Sequence, residues 1–499
     1  MNAKALLCLL LAAGPASQAA AQKTSKVDLQ ESVVRVLATQ RFPSYIRPWV
    51  KQPAQQSSGS GVVIAGKRIL TNAHVVMHAT QVYVQPFESS DKLEATIEKI
   101  SPEFDLALLK LEDEKFFDKR PAVPLAKKLP GVRDAVTAFG FQSGGVGLST
   151  TKGTISRLEY GPYSYGQAGL RLEITAPLKE GNSGGPAISD GKIVGVVFAV
   201  SRRGNIGHAI PVEEVEAFLK APKETTDFEK LSLGTTFFSL ENNALRQKLR
   251  VPDGTTGVLA GEHYSPRDAK GPLKIGDIVT RIGDYDIDNT GMVRIYGTQL
   301  GFYYLAHKLA KDGAVPLTVL RDGKTMLLKA PVRFRSQGAL LPALKMQEPS
   351  YFVWGPLAFS PATSELVTTV RPYLTPAWVL KHSPLVLRSS DYVAFPGEQL
   401  VMLIAMFPHK IVKGYSSPVG QTVAKVNGTK IKNLRHLVAM LRDVKSPFVE
   451  FAFAERYAEK LVFKRKEVDK AMEQILTDNG IRLQASPRSL LKVWEDRKK

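Results

Sequence analysis

The sequence predicts a mainly β chain: a β-sandwich or barrel over residues 33–212, followed by two smaller α+β domains that repeat one another. Three observations carry this expectation. Short β-branched segments separated by Gly-containing turns recur from Val33 to Val212. Two later segments of equal length align without gaps, and each leads into a helical pattern and then a strand. The composition, 44% apolar and 23% charged with 39 Gly and 31 Pro in 499 residues, is globular and excludes a fibrous or low-complexity chain.

Taken in order, residues 1–21 read as a secretory signal. Lys4 supplies the positive end, Ala5 to Ala13 is apolar, and Ala19-Ala20-Ala21 offers small residues for cleavage near Ala21. The apolar run is shorter than the ~20 residues needed to span a bilayer. Export to the periplasm or the exterior is therefore expected, with no anchor. Cys8, the sole cysteine, falls in this segment, which rules out a disulfide framework and a cysteine metal site. In the body, Gly61 to Ile64, Thr80 to Val84, Leu106 to Leu111 and Lys192 to Val200 read as strands. Val212 to Leu219 reads as a short helix with Pro211 at its start, and Lys220 to Thr226 as a polar linker.

The repeat aligns Gly276 to Asn289 with Gly420 to Asn433, sharing the Gly, one Val, one Ile and the Asn. Each copy is a strand, a tight turn and a re-entry. Helical patterns follow at Phe302 to Lys311 and Leu434 to Arg442, then strands at Val315 to Leu320 and Phe448 to Phe453. From Phe463 onward an amphipathic helix carrying Val468, Ala471, Met472 and Ile475 is expected to end near Gly480, with a mobile basic segment after it. The formal net charge of +20 favours anionic surfaces such as envelope polymers, or acidic client proteins. No compact nucleic-acid recognition motif appears. No clustered His/Asp/Glu spacing points to a metal, and no cofactor is expected.

Chemistry concentrates in three places. Gly181-Asn182-Ser183-Gly184-Gly185-Pro186 flanks a serine with glycines, which permit a tight turn aiming backbone N–H groups at one point. Thr71 to Val76 places His74 just after a strand. Phe104 to Leu109 opens an apolar strand with Asp105, and burying a carboxylate there costs several kcal/mol unless it is paired.

In this order the sequence resembles the trypsin-like serine peptidases, and specifically the Deg/HtrA family. The resemblance runs through Ser57 to Val62, Leu70 to Val76, Asp105 to Leu109, Ala138 to Gly140, Lys152 to Ser156, Gly181 to Pro186 and Ile206 to Pro211, then two PDZ-like domains. It is most similar to the plant-type members with a divergent second PDZ. It implies a signal at 1–21, a double β-barrel protease domain at 22–220, PDZ-like domains at 228–335 and 348–457, and a charged tail at 458–499. It implies a Ser183 nucleophile, a His74 base, an Asp105 orienting carboxylate, and an oxyanion hole from the N–H groups of Gly181 and Ser183. The pocket for the residue before the cut would be formed by Pro177, Ala199, Val200 and His208, small and apolar except for His208. Thr256-Gly257-Val258-Leu259 would capture C-terminal peptides along a free strand edge in the first PDZ. In the second, Trp354-Gly355-Pro356-Leu357 puts a proline where an N–H donor is wanted, so assembly or shielding is expected there instead. Asn182 stands where digestive relatives carry an activating Asp, so activation would come from loop rearrangement and binding at other domains. The implied activity is ATP-independent endoproteolysis of unfolded or damaged envelope proteins by a homotrimer or larger assembly. The alternatives are a PDZ-based chaperone or scaffold with minor proteolysis, and a processing protease with few clients.

Overall fold

The computed structural model describes residues 29–142, 147–163, 168–200, 206–222, 231–265, 267–334 and 338–496. The expected signal and its cleavage site lie outside these residues. Six strands close a first barrel: β1 (Val33–Gln40), β2 (Gln55–Ile64), β3 (Arg68–Thr71), β4 (Ala79–Gln85), β5 (Leu93–Ser101) and β6 (Leu106–Leu111), in the order β1-β2-β3-β6-β5-β4. A second barrel closes in the order β10-β11-β12-β9-β8-β7, from β7 (Ala135–Phe141), β8 (Leu148–Pro162), β9 (Ala168–Ile174), β10 (Pro186–Ser189), β11 (Lys192–Val200) and β12 (Gly207–Pro211). Closure leaves neither sheet with an open edge. Of the two arrangements the alternating pattern allows, it is the barrel that forms.

The barrels share a core in which Val62, Leu70 and Leu106 meet Phe139, Val196 and Ile210. Helix α1 (Ala73–Val76) is a single turn after β3, and α2 (Val212–Lys220) follows β12 as the sequence predicts. The buried Lys99 donates to the carbonyls of Phe218 and Ala221 at the end of α2, where a cation complements the unpaired carbonyls.

The first small domain is a sheet in the order Thr235–Ser239, Val258–His263, Ile278–Ile282, Ala314–Arg321, Lys324–Pro331, with the helix Tyr303–Lys308. That helix is shorter than expected, because Asp312 and Gly313 adopt φ of 52° and 73° and turn the chain into the next strand. The repeat has a structural cause. Gly276 and Gly420 sit at φ of 93° and 87°, and the register after them is the same, Ile282 pairing Tyr285 as Val426 pairs Thr429. The shared asparagines differ in use: Asn433 caps the helix Leu434–Asp443, whereas Asn289 accepts from Gly257 N at 3.3 Å.

The second small domain extends further than expected. The helix Arg465–Asp478 buries Val468, Ala471 and Ile475 in its cores, the strand Ala485–Ser486 pairs with Tyr351–Trp354, and Leu490 and Val493 are buried in a last helix. The segment expected as a separate tail and mobile end is thus part of this domain through residue 495. The domain also grips the first barrel: Trp49 packs edge-on against Tyr351 and Phe407, Lys51 pairs with Glu348 at 2.9 Å, and Lys345 with Glu103 at 3.4 Å. The first small domain is held to α2 by Glu213, whose carboxylate accepts from Tyr304 and Tyr296, each at 2.6 Å, and from Lys308 at 2.7 Å.

Candidate active site

Asp105 lies in the tight turn just before β6 at φ 52°, a conformation accessible to Asp, and is fully buried. Its carboxylate accepts from His74 Nδ1 at 2.8 Å and from the His74 backbone N–H at 3.0 Å. The Asn72 amide donates to the Asp105 carbonyl at 2.8 Å, and Gln40 donates to the carbonyls of His74 and Met77 at 2.9 and 3.0 Å. The one-turn helix bearing the histidine is thereby clamped from both sides. With Nδ1 donating to the carboxylate, Nε2 is left as the basic nitrogen.

Ser183 stands on a turn that only glycines fit. Gly181 and Gly184 adopt φ of 94° and 87°, and a Cβ on Gly184 would lie 2.0 Å from the Ser60 carbonyl oxygen. Ser60, on β2, joins the barrels here. Its Oγ donates to the Gly181 carbonyl and accepts from Phe141 N, both at 2.8 Å, and its N–H donates to the Ser183 carbonyl at 2.7 Å. Gly59 is needed for the same approach, since a Cβ there would lie 2.9 Å from the Ser183 carbonyl oxygen. The N–H groups of Gly181 and Ser183 have no acceptor among the described residues. The Ser183 hydroxyl donates to the Phe198 carbonyl at 3.4 Å rather than to His74. Asn182 is buried with both side-chain polar atoms unpartnered.

The residues expected to form the pocket differ in burial. Pro177 is exposed, while Leu178 is buried and fills the space over Gly207, where a Cβ would lie 2.2 Å from Leu178 Cδ1. His208 pairs through its backbone with Ala199 and Glu173, and its ring centre is 6.2 Å from that of Phe198. Burial, reinforced by the Arg171 guanidinium, holds its imidazole pKa below the usual value, and Nδ1 is buried without a partner. The side chains of Ala199 and Val200 lie outside the described residues.

The peptide-capture expectation meets a paired strand. Thr256 and Gly257 precede Val258–His263, in which Leu259 pairs with Phe238 and with Ile278, and Val258 is buried, so Val258 and Leu259 offer no free edge. Gly257 lies just before the strand, where a Cβ would be 2.4 Å from the Val279 carbonyl oxygen, so only glycine fits this approach. The free edge belongs to Thr235–Ser239, beside Phe302 and Tyr303, whose rings lie 5.0 and 6.0 Å from that of Phe237. In the second domain, Trp354 to Leu357 forms a buried hairpin turn whose Pro356 carbonyl accepts from Phe407 N.

Of the three side chains singled out from the sequence, the structure joins His74 to Asp105, and sequence reasoning did not single out Ser60 and Asn72, which brace Ser183 and Asp105. Ser60 lies within the Ser57 to Val62 motif, so a signal was present without its role.

Residues 59–196 match the trypsin-like peptidase domain family and residues 342–488 match a PDZ domain family. Over 470 residues the chain is 33% identical to Protease Do-like 2, chloroplastic, of Arabidopsis thaliana, an alignment covering 90% of this chain and 74% of that one. Protease Do-like 4, mitochondrial, of the same plant is 32% identical over 428 residues, covering 84% and 78%. A solved HtrA-type protease AlgW with tripeptide matches 61% of this chain and 93% of its own at 24% identity and a TM-score of 0.47.

Proposed function

The chain belongs to the Deg/HtrA family of serine endopeptidases, and from that premise we propose that it degrades unfolded or damaged proteins without ATP in a compartment reached across a membrane. The observation that carries the reading is the buried Asp105 carboxylate holding His74 Nδ1 at 2.8 Å, with Gly59 packed between Val75, next to that histidine, and the carbonyl of Ser183 on its glycine-built turn. For attack, the Ser183 hydroxyl leaves the Phe198 carbonyl and gives its proton to His74 Nε2 as Oγ bonds to the scissile carbon. The N–H groups of Gly181 and Ser183 receive the oxyanion; losing one such donor costs about 3–4 kcal/mol of barrier. His74 then protonates the leaving amine as the C–N bond breaks, and water releases the acyl group from Ser183. Asp105 stabilises the imidazolium throughout.

An extended segment suits such a cleft, because a folded chain cannot enter it as a strand. The apolar Leu178 favours a small aliphatic residue before the cut, with His208 neutral at ordinary pH. Peptides dock by adding a strand to Thr235–Ser239, while the closed hairpin of the second domain takes none. The signal read in residues 1–21 supports export, most simply to the periplasm, and the chloroplast and mitochondrion in the relatives' names are likewise reached across membranes. A homotrimer is the assembly the family reading implies.

The test uses purified protein and its Ser183→Ala variant with an unfolded cysteine-free substrate and the same substrate folded, without ATP, mapping the cut bonds by mass spectrometry. Cleavage of the unfolded form alone, after small aliphatic residues and abolished in the variant, is expected. Equal cleavage by the variant would exclude Ser183 as nucleophile. Silence from both proteins would favour the scaffold alternative.

A further inference from the structure

The helix Ser364–Leu380 of the second small domain is apolar on two faces. One face, Leu366, Val370, Leu374 and Trp378 at four-residue spacing, is turned inward; Trp378 Nε1 donates to the Gly420 carbonyl at 2.8 Å and Leu374 packs on Gly420. The other face should be polar on a surface helix. Instead it presents Tyr373 at 82% exposure, Val379 at 55% and Leu380 at 76%, together with Pro376. Tyr457, 92% exposed, joins them, because Arg456 N donates to the Lys381 carbonyl at the helix end. An apolar face of this kind marks a surface that something covers.

The charges around it say what. Residues 366–390 contain no Asp or Glu. Arg371, Lys381 and Arg456 border the patch, and none carries an ion pair among the described residues. No helix among the described residues is long and apolar enough to cross a membrane, so an apolar stripe rimmed by cations here suits lying along a surface, not insertion through it. We propose that this face docks in the plane of an anionic phospholipid surface, with Tyr373, Val379, Leu380 and Tyr457 among the acyl-chain boundary and the three cations at the headgroup phosphates. The protease would then work at a membrane face while held by its last domain.

The test is vesicle flotation near physiological salt with the chain from Gln22 onward, so that the apolar run Ala5 to Ala13 does not itself insert. Phosphatidylcholine vesicles with about one third phosphatidylglycerol are compared with pure phosphatidylcholine. The protein is expected to float with the anionic vesicles only. Tyr373→Ser with Leu380→Ser, which leaves the charge unchanged, is expected to lower partitioning roughly tenfold or more, and Arg371→Glu with Lys381→Glu to abolish it, both with unaltered peptidase activity as the folding control. Failure to float overturns the proposal. So does a serine variant that floats like the parent, since diffuse positive charge would then suffice. A parent that runs as a larger assembly than the serine variant without floating would also overturn it, by assigning the face to a second copy. None of these results bears on the peptidase reading.

Discussion

Replacing Ser60 by Ala deletes one oxygen and leaves the backbone contacts of β2 intact. Two buried hydrogen bonds disappear, one to the Gly181 carbonyl and one from Phe141 N, each 2.8 Å long. Two such bonds contribute about 1 kcal/mol each, and the stranded N–H of Phe141 adds about 1–3 kcal/mol of unmet desolvation, so a loss of about 3–5 kcal/mol follows. For a domain of this size, each kcal/mol lowers the melting temperature by about 2–4 °C, which places the protease transition roughly 6–20 °C below the parent's. The second effect is on rate. Gly181, whose carbonyl Ser60 braces, would supply an oxyanion donor through its own N–H on the adjoining peptide unit, and losing one such donor bounds the fall in kcat at about a hundred- to thousandfold. Calorimetry of the parent and Ser60→Ala, with kcat on an unfolded substrate, measures both. A transition within about 2 °C of the parent and an unchanged kcat would refute the claim that Ser60 holds the nucleophile turn.

Asp105→Asn should keep the fold and lower kcat by about ten-thousandfold, because the amide favours the wrong imidazole tautomer; steady-state kinetics checks this. Leu178→Ala should open space over Gly207, and if that space receives the residue before the cut, cleavage-site mapping should show a shift from small to larger aliphatics there. Glu213 has a pH signature. Burial alone would raise its pKa, yet the donors Lys308, Tyr296 and Tyr304 hold the carboxyl below its usual value. A depressed carboxyl adds stability above its unfolded pKa of about 4.5 and loses it as pH falls through the folded value. The stability gap between the parent and Glu213→Gln should therefore be open at neutral pH and close in acid, followed by thermal unfolding across that range.

The three reactive residues were legible because each sits in a local pattern: a serine among glycines, a histidine after a strand, a carboxylate opening an apolar run. The barrel strands were legible from β-branched alternation. What escaped depends on neighbours distant in sequence. Ser60 matters because β2 reaches Gly181 and Phe141, which no local pattern records. Counting six back from Ser183 finds Pro177, but which side chain of that extended segment turns inward is set by Gly207, and it is Leu178. Thr256 to Leu259 reads as a strand, and periodicity does not reveal that both its flanks are occupied. The stripe Val468, Ala471 and Ile475 announced a helix without disclosing that the second domain's core would receive it.

The contact of Trp49 with Tyr351 and Phe407 also sets a timetable. Trp49 leaves the ribosome well before its partners Tyr351 and Phe407, which lie far along the chain from it. At synthesis rates of about 5–20 residues per second, the loop around Trp49 waits roughly 15 s to a minute before the surface that receives it exists. The first barrel can close on its own strands in that interval, but the segment around Lys51 and Glu103 is covered only when the second small domain folds onto it. A chain broken off before Tyr351 would carry Ser183, His74 and Asp105 and still lack this seam, so the surface around Trp49 is assembled by the second small domain.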